Sequence, residues 1–505
     1  MRILSEMSLT ELISPQGFDC DCGKHHVMAI RHVKIGEQAI EFLPEILQDM
    51  AISKPLFVAD QNTDRAAWRY IEPVLRKAQI IYNKFVYQDE HPEPDEYAVG
   101  SLTLAYDRSC DGIVVVGSGV LNDIGKVFAN VAKLPQVVIA TAASMDGYGS
   151  NNASMIRNGL KVSLYNACPQ AIIADTRILA EEPVHMLQAG LGDMLAKYVS
   201  ICEWRISNLI TGEYYCENIA DLVRSALKKV IDSADGLLQR KQNEQRQIVE
   251  QKQLIDREQF VEQEQLIDRE IIVEQKEEID RIAEQSRVNE QERSQYYSAI
   301  ENIFEGLLIT GLAMGFAGIS RPASGLEHYF SHVWEMMSLQ RGETSQLHGL
   351  QVAVGTLLSV EIWQKLRMYP AASDMAKATA VQFIDSFDQI QWENMVHRIY
   401  GAQTAKQVIA IANAEGRNSK IMHAERLSVI QEKWSEIIKI AETELPGYEE
   451  LLTLMRKFDL PLTPQALGYS EQDKHDALIG SREVRNKYVT SSLLWDLGLL
   501  YEWDI

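Results

Sequence analysis

Five short runs rich in valine and isoleucine constrain this chain more than any other feature. PLFVAD (55–60), QIIYNKFVY (79–87), DGIVVVGSG (111–119), PQVVIATAAS (135–144) and AIIAD (171–175) each read as a strand, and most end in small or polar residues. Segments of helical character lie between several of them. Short apolar strands alternating with helices indicate a mostly parallel sheet covered on both faces, since a parallel crossover needs a connection long enough to hold a helix. After Thr176 the pattern changes. PVHMLQAGLGDMLAKYVSICEWRIS, NIADLVRSALKKVIDSADGLL and IENIFEGLLITGLAMGFAG place apolar residues at three- and four-residue spacing, and that helical character runs to the end. The expectation is an α/β domain over residues 1–178, an all-helical domain over 179–505, and a ligand cleft between them.

Composition narrows the functional classes. A chain of 505 residues has length for two or three domains, each with its own core. The formal charge of −22 argues against unaided binding to nucleic acid or anionic membranes, although it leaves room for a buried anion site. Six cysteines form no disulfide framework and suit a reducing cytosol. The N-terminal MRILSEMSLTELISPQGF lacks the unbroken apolar stretch of a signal peptide, and no window of about 18 apolar residues is found. A cytoplasmic protein without nucleic-acid or membrane partners is expected.

Three motifs carry chemistry. In DGIVVVGSGVLNDIGKVFANVA (111–132) an apolar strand runs into Gly117-Ser118-Gly119 and a helix opens at once. Glycines let backbone approach a phosphate, and a helix N-terminus offers free N–H groups, although the full dinucleotide spacing is missing and a plain strand–turn–helix junction reads the same way. TAASMDGYGSNNAS (141–154) is small and polar; its hydroxyls and Asp146 suit a cofactor or sugar-like ligand, or simply an exposed loop. The third is a set of metal-ligand candidates: Asp193 in AGLGDMLAKY, His328 and His332 four apart on one face of RPASGLEHYFSH, and His348 opening an apolar helix in QLHGLQVAVGTLL. One carboxylate and two imidazoles suit a divalent transition metal with a coordination position left for substrate.

GSGVLNDIGK, TAASMDGYGS, GLGDMLAKY, SRPASGLEHYFSH and LHG, in this order, resemble the sn-glycerol-1-phosphate dehydrogenases, bacterial members above all. That family lies within the wider group of iron-type alcohol dehydrogenases, glycerol dehydrogenases and dehydroquinate synthases, whose fold is a dinucleotide-binding α/β domain followed by a helical metal-binding domain. The resemblance implies Asp193, His328 and His348 as ligands of one divalent metal per subunit, nickel or zinc, with His332 and Asp146 touching the substrate. It implies Gly119, Val120, Leu121, Asn122 and Asp123 along the pyrophosphate of NAD(H) or NADP(H), with Thr141, Ala142, Ala143, Ser144 and Ser150 nearby and Asp60 at the adenine ribose. Lys197 stands where iron-type alcohol dehydrogenases often carry a further histidine, and Asp193 where dehydroquinate synthases use glutamate; both differences favour the glycerol-phosphate branch. The implied reaction is hydride transfer between the nicotinamide and dihydroxyacetone phosphate, a small phosphate substrate, in a homo-oligomer, with a dimer favoured. A glycerol or polyol dehydrogenase of the same fold and an inactive scaffold are the competing readings. Lys161 and Arg321 are both candidates for the substrate phosphate.

Two stretches are read as bystanders. FDCDCGKHH (18–26) resembles a zinc site superficially, but adjacent His25 and His26 point to opposite faces of an extended chain, so no structural zinc is expected there. Between Ile248 and Ala283 one twelve-residue phrase is written three times with variations, IVEQKQLIDREQ, FVEQEQLIDREI and IVEQKEEIDRIA. Its apolar pairs recur every six residues, which turns each pair by about 240° around a helix and builds no coiled-coil seam. Residues 241–295 are read as an exposed or partly disordered insertion in the helical domain, with a partner-binding arm as the alternative.

Overall fold

The computed structural model describes residues 3–89, 92–157, 160–238 and 271–504. Its centre is a six-stranded, all-parallel sheet. In chain order the strands are β3 (His32–Gly36), β4 (Pro55–Asp60), β5 (Asn83–Tyr87), β6 (Gly112–Gly117), β7 (Gln136–Ala140) and β10 (Ala171–Asp175), in the spatial order β3-β10-β7-β6-β4-β5. The five predicted runs are all present. Every residue of β4, β6, β7 and β10 is buried, as strands covered on both faces require. The two-residue pleat sorts them cleanly: Val58, Val115, Val138 and Ile172 enter one apolar cluster, while Phe57, Val114, Val137 and Ile173 enter the other. The first cluster is continuous with the core of the helical half.

The sequence reading lacked three elements. Strand β3 is an edge strand, half-buried along its whole length, so its sequence HVKIG shows neither an apolar run nor a clear alternation. Two hairpins lie off the sheet, β1 (Phe18–Asp19) with β2 (His25–His26), and β8 (Asn152–Arg157) with β9 (Leu160–Tyr165). The Asn158-Gly159 pair between β8 and β9 is a hairpin signal in the sequence itself.

Beyond Asp175 the described chain is helical. The helices Val184–Leu195, Lys197–Thr211, Glu217–Ser233, Ile271–Ala317, Leu326–Arg341 and His348–Leu366 pack on one another and on the first sheet face. The segment Glu290–Ala317 is apolar enough and long enough to span a membrane, but 78% of its most apolar window is buried inside the protein, where Ile300, Ile303, Phe304, Leu307, Leu308 and Leu312 form part of the core. The first two copies of the repeat, except Ile271, lie outside the described residues; the backbone of the third copy is helical and continuous with this core helix. The turn Leu4–Glu6 packs on the helix Glu217–Ser233 and Met28 lies against Gly315, so the N-terminal segment reaches the helical half.

Candidate active site

Glycines set how closely the ligand-bearing helices approach. A Cβ at Gly190 would stand 1.8 Å from the Ala143 carbonyl oxygen, and one at Gly349 would stand 2.0 Å from that of Ala189. At Gly355 it would meet the Glu327 carbonyl oxygen at 2.4 Å. Backbone lies against backbone at all three points, so no side chain can be accommodated. The helix carrying Asp193 is thereby pressed on the loop after β7 and on the His348 helix, which is in turn pressed on the His328 helix.

Asp193, His328, His332 and His348 converge as a result. His328 Nε2 lies 3.5 Å from Asp193 Oδ1, and the His348 ring stands 5.2 Å from that of His328 and 5.8 Å from that of His332. Asp146, on the loop after β7, completes the tightest grouping: its carboxylate, that of Asp193 and His328 offer ligand atoms all within 4.8 Å of one another. Its backbone N–H also donates to Asp193 Oδ2 at 2.9 Å. The outer contacts suit metal ligands. His328 Nδ1 pairs with Glu327 Oε1 at 2.8 Å, and His348 Nδ1 with Ser331 Oγ at 3.0 Å and Glu335 Oε1 at 3.2 Å, which leaves both Nε2 atoms for other work. One buried carboxylate oxygen and two oriented imidazoles are a donor set that fits a divalent transition metal.

Lys197 is the residue the sequence reading undervalued. Its fully buried ammonium donates to Asp146 Oδ2 at 2.7 Å, Asp193 Oδ1 at 2.9 Å and the Ala323 carbonyl at 3.1 Å. Burial works against this charge, yet the two carboxylates outweigh it and hold the amine protonated above its ordinary range. Burial likewise opposes the Asp193 charge, and Lys197 with His328 overcomes it, so the carboxyl stays well below the usual range. Burial pushes the His332 imidazole well below its ordinary value against an opposing contact with Glu335, so it is neutral at physiological pH.

Asp146, His328, His332 and His348 open on a cavity of about 420 Å³ lined also by Ser118, Gly119, Val120, Asp123, Ser144, Ser150, Lys161 and Arg485, while Asp193 and Lys197 lie fully buried outside its lining. Leu121 and Asn122 turn inward instead. Leu121 packs beneath Gly117, and Asn122 ties the Gly147 carbonyl to Gln136. Thr141, Ala142 and Ala143 are buried and are not among the cavity-lining residues, and the Ala143 N–H donates to the Glu182 carboxylate. Asp60 is not among the cavity-lining residues. It ends β4, beside the β6 strand that leads into Gly119, and its carboxylate caps the helix Gln61–Lys77. Of the two phosphate candidates the structure removes Arg321. That guanidinium is buried away from the cavity, bonded to Glu213, Ser207 and the Tyr488 carbonyl. Lys161 faces the cavity and pairs with Glu335, and Arg485, which no sequence motif singled out, shares the same wall.

Residues 34–183 match the family described as iron-containing alcohol dehydrogenase. Over 344 residues, 67% of this chain and 72% of the relative, the chain is 28% identical to the glycerol-1-phosphate dehydrogenase (NAD(P)+) of Halalkalibacterium halodurans. Among solved structures it is similar to the maleylacetate reductase of Rhizobium sp. strain MTP-10005, with a TM-score of 0.52 at 13% identity over 94% of this chain and 96% of that one. It is also similar to a probable glycerol dehydrogenase of Sinorhizobium meliloti 1021, with a TM-score of 0.51 at 15% identity over 94% of this chain and 97% of that one. The α/β region is thus similar to the iron-containing alcohol dehydrogenases, and the whole chain has the fold of those solved dehydrogenase structures. Its sequence relatives include glycerol-1-phosphate dehydrogenases, and the chain is similar to an NAD(P)-dependent dehydrogenase.

Proposed function

We propose that this chain is a metal-dependent, NAD(P)-linked dehydrogenase that interconverts dihydroxyacetone phosphate and sn-glycerol 1-phosphate. The observation that carries this reading is the meeting of Asp193, His328 and His348 beside a cavity that also presents two cations, Lys161 and Arg485. A bare polyol would give those cations nothing to bind, whereas a phosphate would.

Asp193, His328 and His348 would hold the metal, nickel or zinc. When bound, the metal supplies Lewis acidity at the substrate oxygen and the nicotinamide supplies or accepts the hydride. The chain's own residues do the rest. Gly119, the first residue of the helix after β6, lies on the cavity wall with Ser144 and Ser150, where a helix N-terminus would favour a pyrophosphate. Asp60, at the end of the neighbouring strand, would meet the ribose. Lys197 neutralises Asp146 and Asp193, so Asp146 can point a carboxylate at substrate hydroxyls inside an otherwise costly buried cluster. His332, neutral and held through Nδ1 by Glu335, keeps Nε2 as an acceptor for the substrate hydroxyl's proton. Homodimerisation is carried by the sequence resemblance alone.

The test is turnover of purified protein reloaded with nickel or zinc. NADH should be consumed with dihydroxyacetone phosphate and the reaction should stop on chelation. A higher kcat/KM for dihydroxyacetone than for its phosphate would defeat the phosphate assignment, and no turnover with a fully loaded site would defeat the enzyme reading.

A further inference from the structure

We propose that Cys20, Cys22, His26 and Cys216 form a second metal centre, a structural Cys3His zinc site that fastens the N-terminal hairpin to the helical half. The site is independent of the cavity described above, and none of its groups lines that cavity. The ligand atoms of the four residues all lie within 4.8 Å of one another.

The objection drawn from the sequence was that His25 and His26 cannot both converge. They do not. In the β1–β2 hairpin His25 turns outward, with Nδ1 on Asp19 Oδ1 at 2.9 Å and Nε2 on the Gln16 carbonyl at 3.0 Å, while His26 turns inward and is buried. The fourth ligand comes from 196 residues away. Cys216 sits at the N-cap of the helix Glu217–Ser233, and its sulfur lies 3.5 Å from that of Cys20. A tetrahedral zinc with Zn–S bonds of about 2.3 Å places its sulfurs roughly 3.8 Å apart, close to this spacing. Cys22 Sγ is 3.3 Å from His26 Nε2, again near the edge of such a tetrahedron.

The surroundings match those of bound thiolates. The Asn218 amide donates to Cys20 Sγ and the Tyr214 hydroxyl to Cys22 Sγ, each at 3.3 Å. Burial pushes the Cys216 thiol up, and the N–H of Ile219 in the first turn of the helix works against that by favouring negative charge on the sulfur. His26 Nδ1 donates to the Phe316 carbonyl at 2.9 Å, and the ring is held between Phe18 and Phe316, so Nε2 is fixed toward the sulfurs. Between the two nearer cysteines and β2 the chain reverses at Gly23, whose φ of 80° and N–H bond to the Cys20 carbonyl close a tight turn. Four ligands from protein, with no position left for substrate, make a closed site whose role is to hold structure. It ties residues 18–26 to helices at 216 and 316, a link that the short two-residue strands alone would maintain poorly.

The test uses cobalt(II) incorporated into the full-length chain. The His328→Ala variant, which weakens the other site, should still show thiolate-to-cobalt charge-transfer absorption and the intense visible bands of tetrahedral cobalt. Cys20→Ser/Cys216→Ser should lose that signal and about one metal ion per chain. His26→Cys should keep the metal with stronger charge transfer, which separates ligand loss from misfolding. Cobalt-loaded protein without thiolate charge transfer would overturn the proposal, as would a Cys20–Cys216 disulfide in peptide maps of native protein. Neither result bears on dihydroxyacetone phosphate turnover.

Discussion

At the level of single residues, the site is organised by carboxylates that no catalytic motif would select. Glu335 touches three functional groups at once, holding His332, His348 and Lys161. Glu335→Gln should therefore lower metal affinity by about 10–100-fold, measured by competition with a chelator, while the protein remains folded. A different carboxylate shapes the response to pH. Glu203 is pushed up to about 7 by burial and by the neighbouring Glu327, against opposing bonds from Thr490. An unfolded glutamate ionises near 4.5, so between there and about 7 the native state binds more protons than the unfolded one. Stability should fall as pH rises through that window and level off above it, by an amount on the order of 3 kcal/mol at most. Urea unfolding at intervals from pH 5 to pH 8 should show this slope in the parent protein and a flatter one in Glu203→Gln. Lys197 was legible only as a departure from a pattern. Its role emerged from the two carboxylates it neutralises, one of them 51 residues away in the chain.

Among elements, the decisive contacts are backbone against backbone. Gly349→Ala would drive a methyl group into the Ala189 carbonyl, and neither helix can yield by rotating a side chain. A loss of roughly 1–3 kcal/mol in stability is expected, with weaker metal binding because His348 is the adjacent residue. Denaturant unfolding and metal titration of the same variant measure both. A retained stability and affinity would show that the helices have room to separate. The sequence displayed these glycines plainly, near Asp193 and His348, but not which backbone each one faced. Elements were legible where burial was uniform: β4, β6, β7 and β10 are apolar throughout because helices cover both faces. Where burial was partial the pattern faded, as in β3 and in the β8–β9 hairpin that delivers Lys161 to the cavity.

For the whole molecule, the triple repeat and the proposed catalytic site should be separable. The turn Ala234–Leu237 packs directly on the helix near Gln295, so the described residues that flank the repeat on its two sides lie against one another. Replacing residues 241–290 by a short glycine-rich loop should leave metal content and kcat/KM within about twofold, since a longer connection changes closure entropy only slowly. A collapse of activity in soluble, folded protein would instead make the repeat part of the working enzyme. The sequence by itself determined the strand–helix alternation, the change to helices after Thr176, and the order of the candidate ligand residues. Each of those is a local matter of periodicity or of side-chain chemistry. Only the tertiary structure decided that Arg321 is spent on an internal ion pair while Arg485 reaches the cavity, that Asp146 joins Asp193, and that Cys216 meets Cys20. Those outcomes depend on how closely helices pack and where their ends fall, quantities that residues far apart in the chain fix jointly.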